Sequence, residues 1–261
     1  MAAGPVDFLP CFPARVEPCN AVQQSAKVRV TTDKSWPKPG MTSVQAVNDG
    51  IDLDALGVTK FCRVADYTRA AAILLTAVRD DTPGDDGVFL WKVDLTAAYR
   101  QLHVHSSNAW NRCKSWLGRC YLDIRAQFGD SSQVKGFQDI TDLIVVIARR
   151  ASAGDAAVRA ACDFMSPAAW AALDGRSVTA RRWIESRRAK GLTGDDVIPM
   201  YLQGYIDDFM GAALSKAVAE AQCDLVRGIA MKLGFPLKED KTVRPTSRLE
   251  VLGADVDTGT S

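Results

Sequence analysis

The stretch that most constrains this chain runs from Gln203 to Ala213 and reads QGYIDDFMGAA, with two adjacent aspartates between Tyr205-Ile206 and Phe209-Met210. Neighbouring carboxylates repel one another, and each is costly to ionise in apolar surroundings. Side chains alternate between the faces of a strand, so a tight hairpin can keep its flanks buried while its tip carries Asp207 and Asp208. The simplest compensator for the tip is a cation. A third carboxylate would complete such a site, and FLWKVDLTAAYRQ offers Asp94 at the end of an apolar strand able to pair beside the hairpin. A few carboxylates together with substrate phosphates are the usual hard-oxygen ligands of Mg²⁺. Two such ions stabilise both the attacking and the leaving oxygen of an in-line phosphoryl displacement.

The surrounding sequence mixes strands and helices without strict alternation, which predicts an α+β fold with an antiparallel sheet. Residues 1–25 read as an irregular arm, and AKVRVTTD (26–33) alternates as a strand does. Asp66 is placed to open a helix reaching Arg79, VFLWKVDL (88–95) is an apolar strand, and GFQDITDLIVVIARR (136–150) is helical. Residues 151–199 are rich in alanine and arginine and suggest two short helices, with Ser166-Pro167 starting one and Gly191 stopping the other. SKAVAEAQCDLVRGIAMKLG (215–234) is amphipathic and closed by Gly234. FPLKEDKT (235–242) and RLEVLGADVD (248–257) add strands.

Bulk composition narrows the functional class only a little. The 261 residues carry a net charge of +1, so no overall basic bias points to a polyanion. Between Arg149 and Lys190, however, nine Arg or Lys face four Asp or Glu. Seven cysteines, odd in number and without a C-x-x-C pair, read as reduced thiols of an intracellular protein. No apolar run approaches the ~20 residues of a membrane span, and the proline-broken N-terminus does not read as a signal peptide. His103 and His105 lack a nearby cysteine partner and read as structural or surface residues.

A set of motifs in order gives the chain a family resemblance. KVRVTTD, VDLTAAYRQLHV, QFGDSSQVKGFQ, YIDD, LGFPLKEDKT and LEVLGADVD resemble the fingers strand and successive palm motifs of reverse transcriptases, over about residues 26–257. SVQAVNDGI (43–51) further resembles a run found in DIRS-like tyrosine-recombinase retroelements. The resemblance implies a right-hand polymerase fingers and palm with a ferredoxin-like antiparallel palm sheet, without a thumb. It implies RNA-directed DNA synthesis with two Mg²⁺ ions (or Mn²⁺) on Asp94, Asp207 and Asp208. Arg29 and Lys27 would neutralise the triphosphate of an incoming dNTP. Tyr99 would occupy the space a ribose 2′-hydroxyl needs. Phe128, Gly129 and Gln138 would line the pocket and touch the template, Lys241 would lie near the phosphates, and Leu252 and Gly253 would support the primer end. The implied partners are an RNA or DNA template with its primer, and dNTPs.

Two features depart from the family pattern. Gln133-Val134 stand where a Ser/Ala-Pro pair is usual, and Asp130 follows Gly129 where an apolar or basic residue is usual. Phe137 and Tyr205 are also 68 residues apart, wider than the family spacing, which marks 151–199 as a helical insertion. Two other readings stay open on the sequence. One is an RNA-dependent RNA polymerase, which shares the carboxylates but has no use for a bulky Tyr99. The other is an inactive or domesticated relic that only binds nucleic acid.

Overall fold

The computed structural model describes residues 5–6, 16–17, 19–24, 27–32, 34–35, 46–79, 87–105, 107–108, 112–116, 119–127, 129–174, 178–193, 197 and 200–259. Most of the Pro/Gly-rich stretch KSWPKPGMTS (34–43), most of DDTPGDDG (80–87), which reads as a turn, and Phe128 lie outside the described residues. In chain order the elements begin with β1 (Pro5–Val6), β2 (Val16–Glu17), β3 (Cys19–Gln24), β4 (Lys27–Thr32), α1 (Leu53–Leu56), α2 (Val64–Arg79), β5 (Phe89–Asp94), α3 (Ala98–Gln101), β6 (Cys113–Trp116) and β7 (Arg119–Leu122). They continue with α4 (Ser131–Ser152), α5 (Ala156–Ala161), α6 (Pro167–Leu173), α7 (Val178–Ala189), β8 (Met200–Tyr205), β9 (Asp208–Ala213), α8 (Lys216–Lys232), β10 (Val243–Thr246), β11 (Arg248–Val251) and β12 (Ala254–Asp257). The mixture is α+β, as the sequence suggests. Among the described residues no helix is long and apolar enough to cross a membrane.

The chain divides into two compact units, Met1–Thr59 with Ala97–Phe137, and Lys60–Thr96 with Gln138–Ser261. In the first unit β3 and β4 form a hairpin in register from Cys19↔Thr32 to Gln24↔Lys27. A second sheet there has the order β1-β7-β6-β2. The stretch expected to be irregular, 1–25, thus supplies β1, β2 and β3. The predicted strand at 27–32 needs a partner for its backbone groups, and the preceding residues are that partner.

The second unit is built on an antiparallel sheet of order β10-β5-β9-β8. Period-two alternation sorts β5 and β9 into two faces. Leu90, Met210 and Ala212 enter a core with Tyr67, Ala71 and Leu74 of α2 and with Leu249, Val251 and Val256 of the β11–β12 hairpin. Trp91 is fully buried, and its indole N–H donates to Gln222 Oε1 of α8 at 2.9 Å. Residues 235–242 do not form the expected strand. Pro236 has no N–H to donate to a ladder, and the segment makes a single bridge, Leu95↔Leu237, before a 3₁₀ turn at Glu239–Lys241. Among the described residues of 151–199 there are three helices, where the sequence suggests two. The additional one, α5, is capped by Asp155, whose carboxylate accepts from the N–H groups of Ala157 and Val158.

Candidate active site

The aspartates of the opening stretch sit at the end of the central hairpin of the second unit. Tyr205 pairs with Asp208 across β8 and β9, leaving Ile206 and Asp207 as a two-residue turn. Its first residue, Ile206, has φ 53°, the positive value that primed hairpin turns require. A β-branched residue pays for that conformation with strain on the order of 1–3 kcal/mol. Helix α4 holds the turn in place. The Ile206 N–H donates to Gln138 Oε1 at 2.9 Å, Gln138 Nε2 donates to Asp142 Oδ1 at 2.8 Å and to Gly204 O at 3.3 Å, and Thr141 Oγ1 donates to Ile206 O. Gly204 permits this approach, since a Cβ there would stand 2.2 Å from Thr141 Cγ2. Strand β5 fixes the other side. Asp94 is directly opposite Asp208, and the Leu95 N–H donates to Asp207 O at 3.0 Å.

The register therefore sets two like charges face to face, which is destabilising in a strand pair. Two lysines offset them. Lys92, two residues before Asp94 and on the same strand face, reaches Asp208 Oδ2 at 2.9 Å, and Lys241 reaches Asp94 Oδ2 at 3.4 Å. The compensation is incomplete. Burial, then the neighbouring Asp94, pushes the Asp207 carboxyl above the usual carboxylate range. Burial also raises Asp208, outweighing the pull of Lys92. The carboxylate of Asp94 in turn raises the Lys241 ammonium. Among the described residues, the buried Asp208 Oδ1 has no hydrogen-bond partner. Among the described residues no three His, Cys, Asp or Glu side chains form a ready-made metal cage. An orphaned, buried carboxylate oxygen beside two further carboxylates is nonetheless a donor set suited to a hard divalent cation.

The structure brings Asp94, Asp207, Asp208, Lys241 and Gln138 together in the second unit. Both polar atoms of the Gln138 side chain, 1% exposed, are engaged by the hairpin and Asp142. Leu252 and Gly253 form the β11–β12 turn with φ 49° and 82°. In the first unit, the backbone of Lys27 and Arg29 lies in β4, their side chains being outside what is described. Tyr99 is buried on α3 with its ring 5.8 Å from that of Phe137. Gly129 stands just before α4. The departing residue Asp130 is buried and ion-paired to Arg112 at 2.6 Å, with its other oxygen accepting from the Ser132 N–H at 3.0 Å. It acts as the N-cap of α4.

The backbone resembles known structures. A foamy viral protease–reverse transcriptase in complex with double-stranded DNA superposes with a TM-score of 0.55 at 14% identity, covering 93% of this chain and 30% of that one. The foamy viral enzyme in complex with an RNA/DNA hybrid gives 0.53 at 13% identity, covering 93% and 22%. The fold is reverse-transcriptase-like. This chain spans less than a third of either neighbour. No protein-family model matches the sequence, and no curated protein does.

Sequence reasoning overlooked Lys92, Thr141 and Arg112. For Lys92 a signal was present, since K-V-D places the lysine on the same face of β5 as Asp94. Thr141 and Arg112 gave none, because their partners lie 65 and 18 residues away.

Proposed function

We propose that this chain is the fingers and palm portion of an RNA-directed DNA polymerase from a retroelement. The observation that supports it best is the placement of Asp94 opposite Asp208, with Asp207 in the adjoining turn, within a reverse-transcriptase-like fold. The reaction would be attack of a primer 3′-hydroxyl on the α-phosphate of a dNTP, with release of pyrophosphate. Asp94 and Asp207 would hold two Mg²⁺ ions (or Mn²⁺), with Asp208 assisting, and the ions would supply neutralisation of the charge that develops on the phosphoryl oxygens. Lys92 and Lys241 keep the carboxylates tolerable to the fold before ions bind. Gln138 and Thr141 hold the strained turn, and positioning of this kind is a large part of catalysis in phosphoryl transfer. Arg29 and Lys27 would meet the triphosphate, and Leu252 and Gly253 the primer end. SVQAVNDGI supports a source among DIRS-like elements.

The test is primer extension on RNA and DNA templates with dNTPs and NTPs in parallel. Incorporation of dNTPs supports the reading, and exclusive use of NTPs replaces it with RNA synthesis. No incorporation, with duplex binding retained, replaces it with the nucleic-acid-binding relic. Tyr99→Ala sharpens the sugar question. A clash with a 2′-hydroxyl costs ~1–3 kcal/mol, or roughly one to two decades of discrimination. The variant should raise the kcat/KM of GTP relative to dGTP by that factor, and an unchanged ratio removes Tyr99 from the sugar site.

A further inference from the structure

The SVQAVNDGI run contributes to the resemblance but has no part in the chemistry above. Its Asn48 opens a 3₁₀ turn, Asn48–Gly50, in the first unit, and its backbone N–H donates to Lys34 O at 3.0 Å. Its side chain is more committed still. Nδ2 donates to Gly129 O at 2.8 Å and to Ser35 Oγ at 3.0 Å, while Oδ1 accepts from the Ser131 N–H at 3.2 Å. The amide orientation is fixed by chemistry, because a carbonyl can only accept and a backbone N–H can only donate. One side chain therefore joins three pieces of chain: the turn that follows β4, the second-motif loop at Gly129, and the first turn of α4.

The end of β4 and the loop at Gly129 are also pressed together beside it. Gly129 has φ 93°, and a Cβ there would lie 2.7 Å from Thr32 O at the end of β4. Thr32 Oγ1 donates to Gln127 Oε1 at 3.1 Å. Strand β4 carries Lys27 and Arg29, and the loop carries Gly129, so the residues expected to meet the nucleotide belong to the two segments that Asn48 ties.

We infer that Asn48 is a positioning residue for the incoming nucleotide, keeping the β4 end and the second-motif loop in fixed register. The inference rests on the polymerase reading proposed above. Asn48 touches no substrate in this scheme; it acts through Gly129 and the Lys34–Ser35 turn. Losing it should therefore weaken nucleotide binding while leaving the carboxylate hairpin of the second unit intact.

The experiment compares wild type, Asn48→Ala, Asn48→Asp and Ser35→Ala for dGTP incorporation on one primer–template. It is read beside the Mg²⁺-induced thermal shift and amide hydrogen exchange. The alanine variant should raise the KM for dGTP about tenfold, the combined effect of two to three ordinary hydrogen bonds, with kcat within about twofold. Its Mg²⁺ shift should be that of wild type, and its loss of exchange protection should be confined to Lys34–Ser35 and Gly129–Gln133. Asn48→Asp keeps the acceptor for Ser131 but loses both donated bonds and sets a carboxylate oxygen against the Gly129 carbonyl, so it should be at least as impaired. A wild-type KM in Asn48→Asp would mean that the residue merely caps α4, which overturns the inference. Equal falls in kcat and KM effects with uniform loss of protection would overturn it as well. Ser35→Ala removes the acceptor for Asn48 Nδ2, should raise KM about twofold, and decides the matter if the Asn48 variants do not fold. Wild-type protein that extends no primer overturns the polymerase reading and the inference together; extension with an unchanged KM in Asn48→Ala overturns the inference alone.

Discussion

Both units bury aspartates, and they treat them in opposite ways. In the first, Asp130 is 2% exposed and fully engaged, with Arg112 on one oxygen and the N-terminus of α4 on the other. Asp123 is similar: burial alone would raise it, but Arg100, the Arg125 N–H and Lys114 together hold it below the usual range. In the second unit, Asp207 and Asp208 are both raised, and Asp208 Oδ1 has no hydrogen-bond partner among the described residues. Carboxylates that serve the fold are satisfied within it. Those at the hairpin are left short of positive charge, as the cation site proposed above would require. The comparison also accounts for one departure from the family pattern, since Asp130 comes with its own buried arginine and a helix to cap.

The largest effect should come from removing one partner of the Arg112–Asp130 pair. Arg112→Met leaves Asp130 buried and uncompensated, a loss of about 3–5 kcal/mol. The melting temperature should fall on the order of 10 °C for a chain of this size. Added Mg²⁺ should not restore it, and calorimetry with and without the ion reads both statements.

Next in size is the loss of an open carboxylate. Asp94→Asn or Asp207→Asn should reduce primer extension by about a hundred- to a thousandfold, the scale seen when a preorganised electrostatic group is removed. Each should also abolish the stabilisation that Mg²⁺ gives by binding the native state. A variant that retains the Mg²⁺-induced shift would show that the carboxylates do not share the ion.

A smaller change separates the two units directly. Lys92→Met removes a charge-assisted contact to Asp208 and should cost about 2 kcal/mol in metal-free protein. Here Mg²⁺ should recover much of the loss, because an ion can stand where the ammonium stood. Equal behaviour of the Lys92 and Arg112 variants toward Mg²⁺ would erase the distinction between them.

The smallest effect is in pH. A raised carboxyl contributes stability that is fully present below the ordinary value of about 4 and is lost as pH rises through the higher folded value. A lowered one contributes stability present above about 4 and lost as pH falls through the lower folded value. In metal-free protein, Asp207→Asn should therefore gain on wild type as pH climbs toward neutrality. Asp123→Asn should lose ground over the same climb, and the loss should vanish in strong acid. Melting temperatures across the acid range, measured with a chelator, give both slopes. A pH-independent difference for Asp207→Asn would remove the repulsion argument.

Much of this was legible along the chain because the physics involved is local. The alternation of YLQGYIDDFMGAA gave the hairpin, Ser166-Pro167 the start of α6, and the amphipathic run with its terminal glycine gave α8. The extra helix α5 was missed although Asp155 followed by an alanine-rich stretch is a cap signal. The strand partner of β4 was missed because CNAVQQ has little apolar alternation of its own; its pairing, and not its pattern, makes it a strand.

The amino-acid order alone determined which carboxylates could meet, since Asp94 closes an apolar strand and Asp207-Asp208 occupy a hairpin tip. Strand periodicity and turn chemistry act within a few residues and need no knowledge of distant chain. Which charges those carboxylates would keep was decided only in three dimensions. Asp94 is laid opposite Asp208 by sheet register, Lys241 arrives through a 3₁₀ turn, and Gln138 and Thr141 reach the strained Ile206 from a helix. Asn48 likewise finds its hydrogen-bond partners 13 and 81 residues away. Hydrogen bonds and ion pairs act over about 3 Å, so they belong to the fold that closes those distances and leave no periodic trace in the sequence.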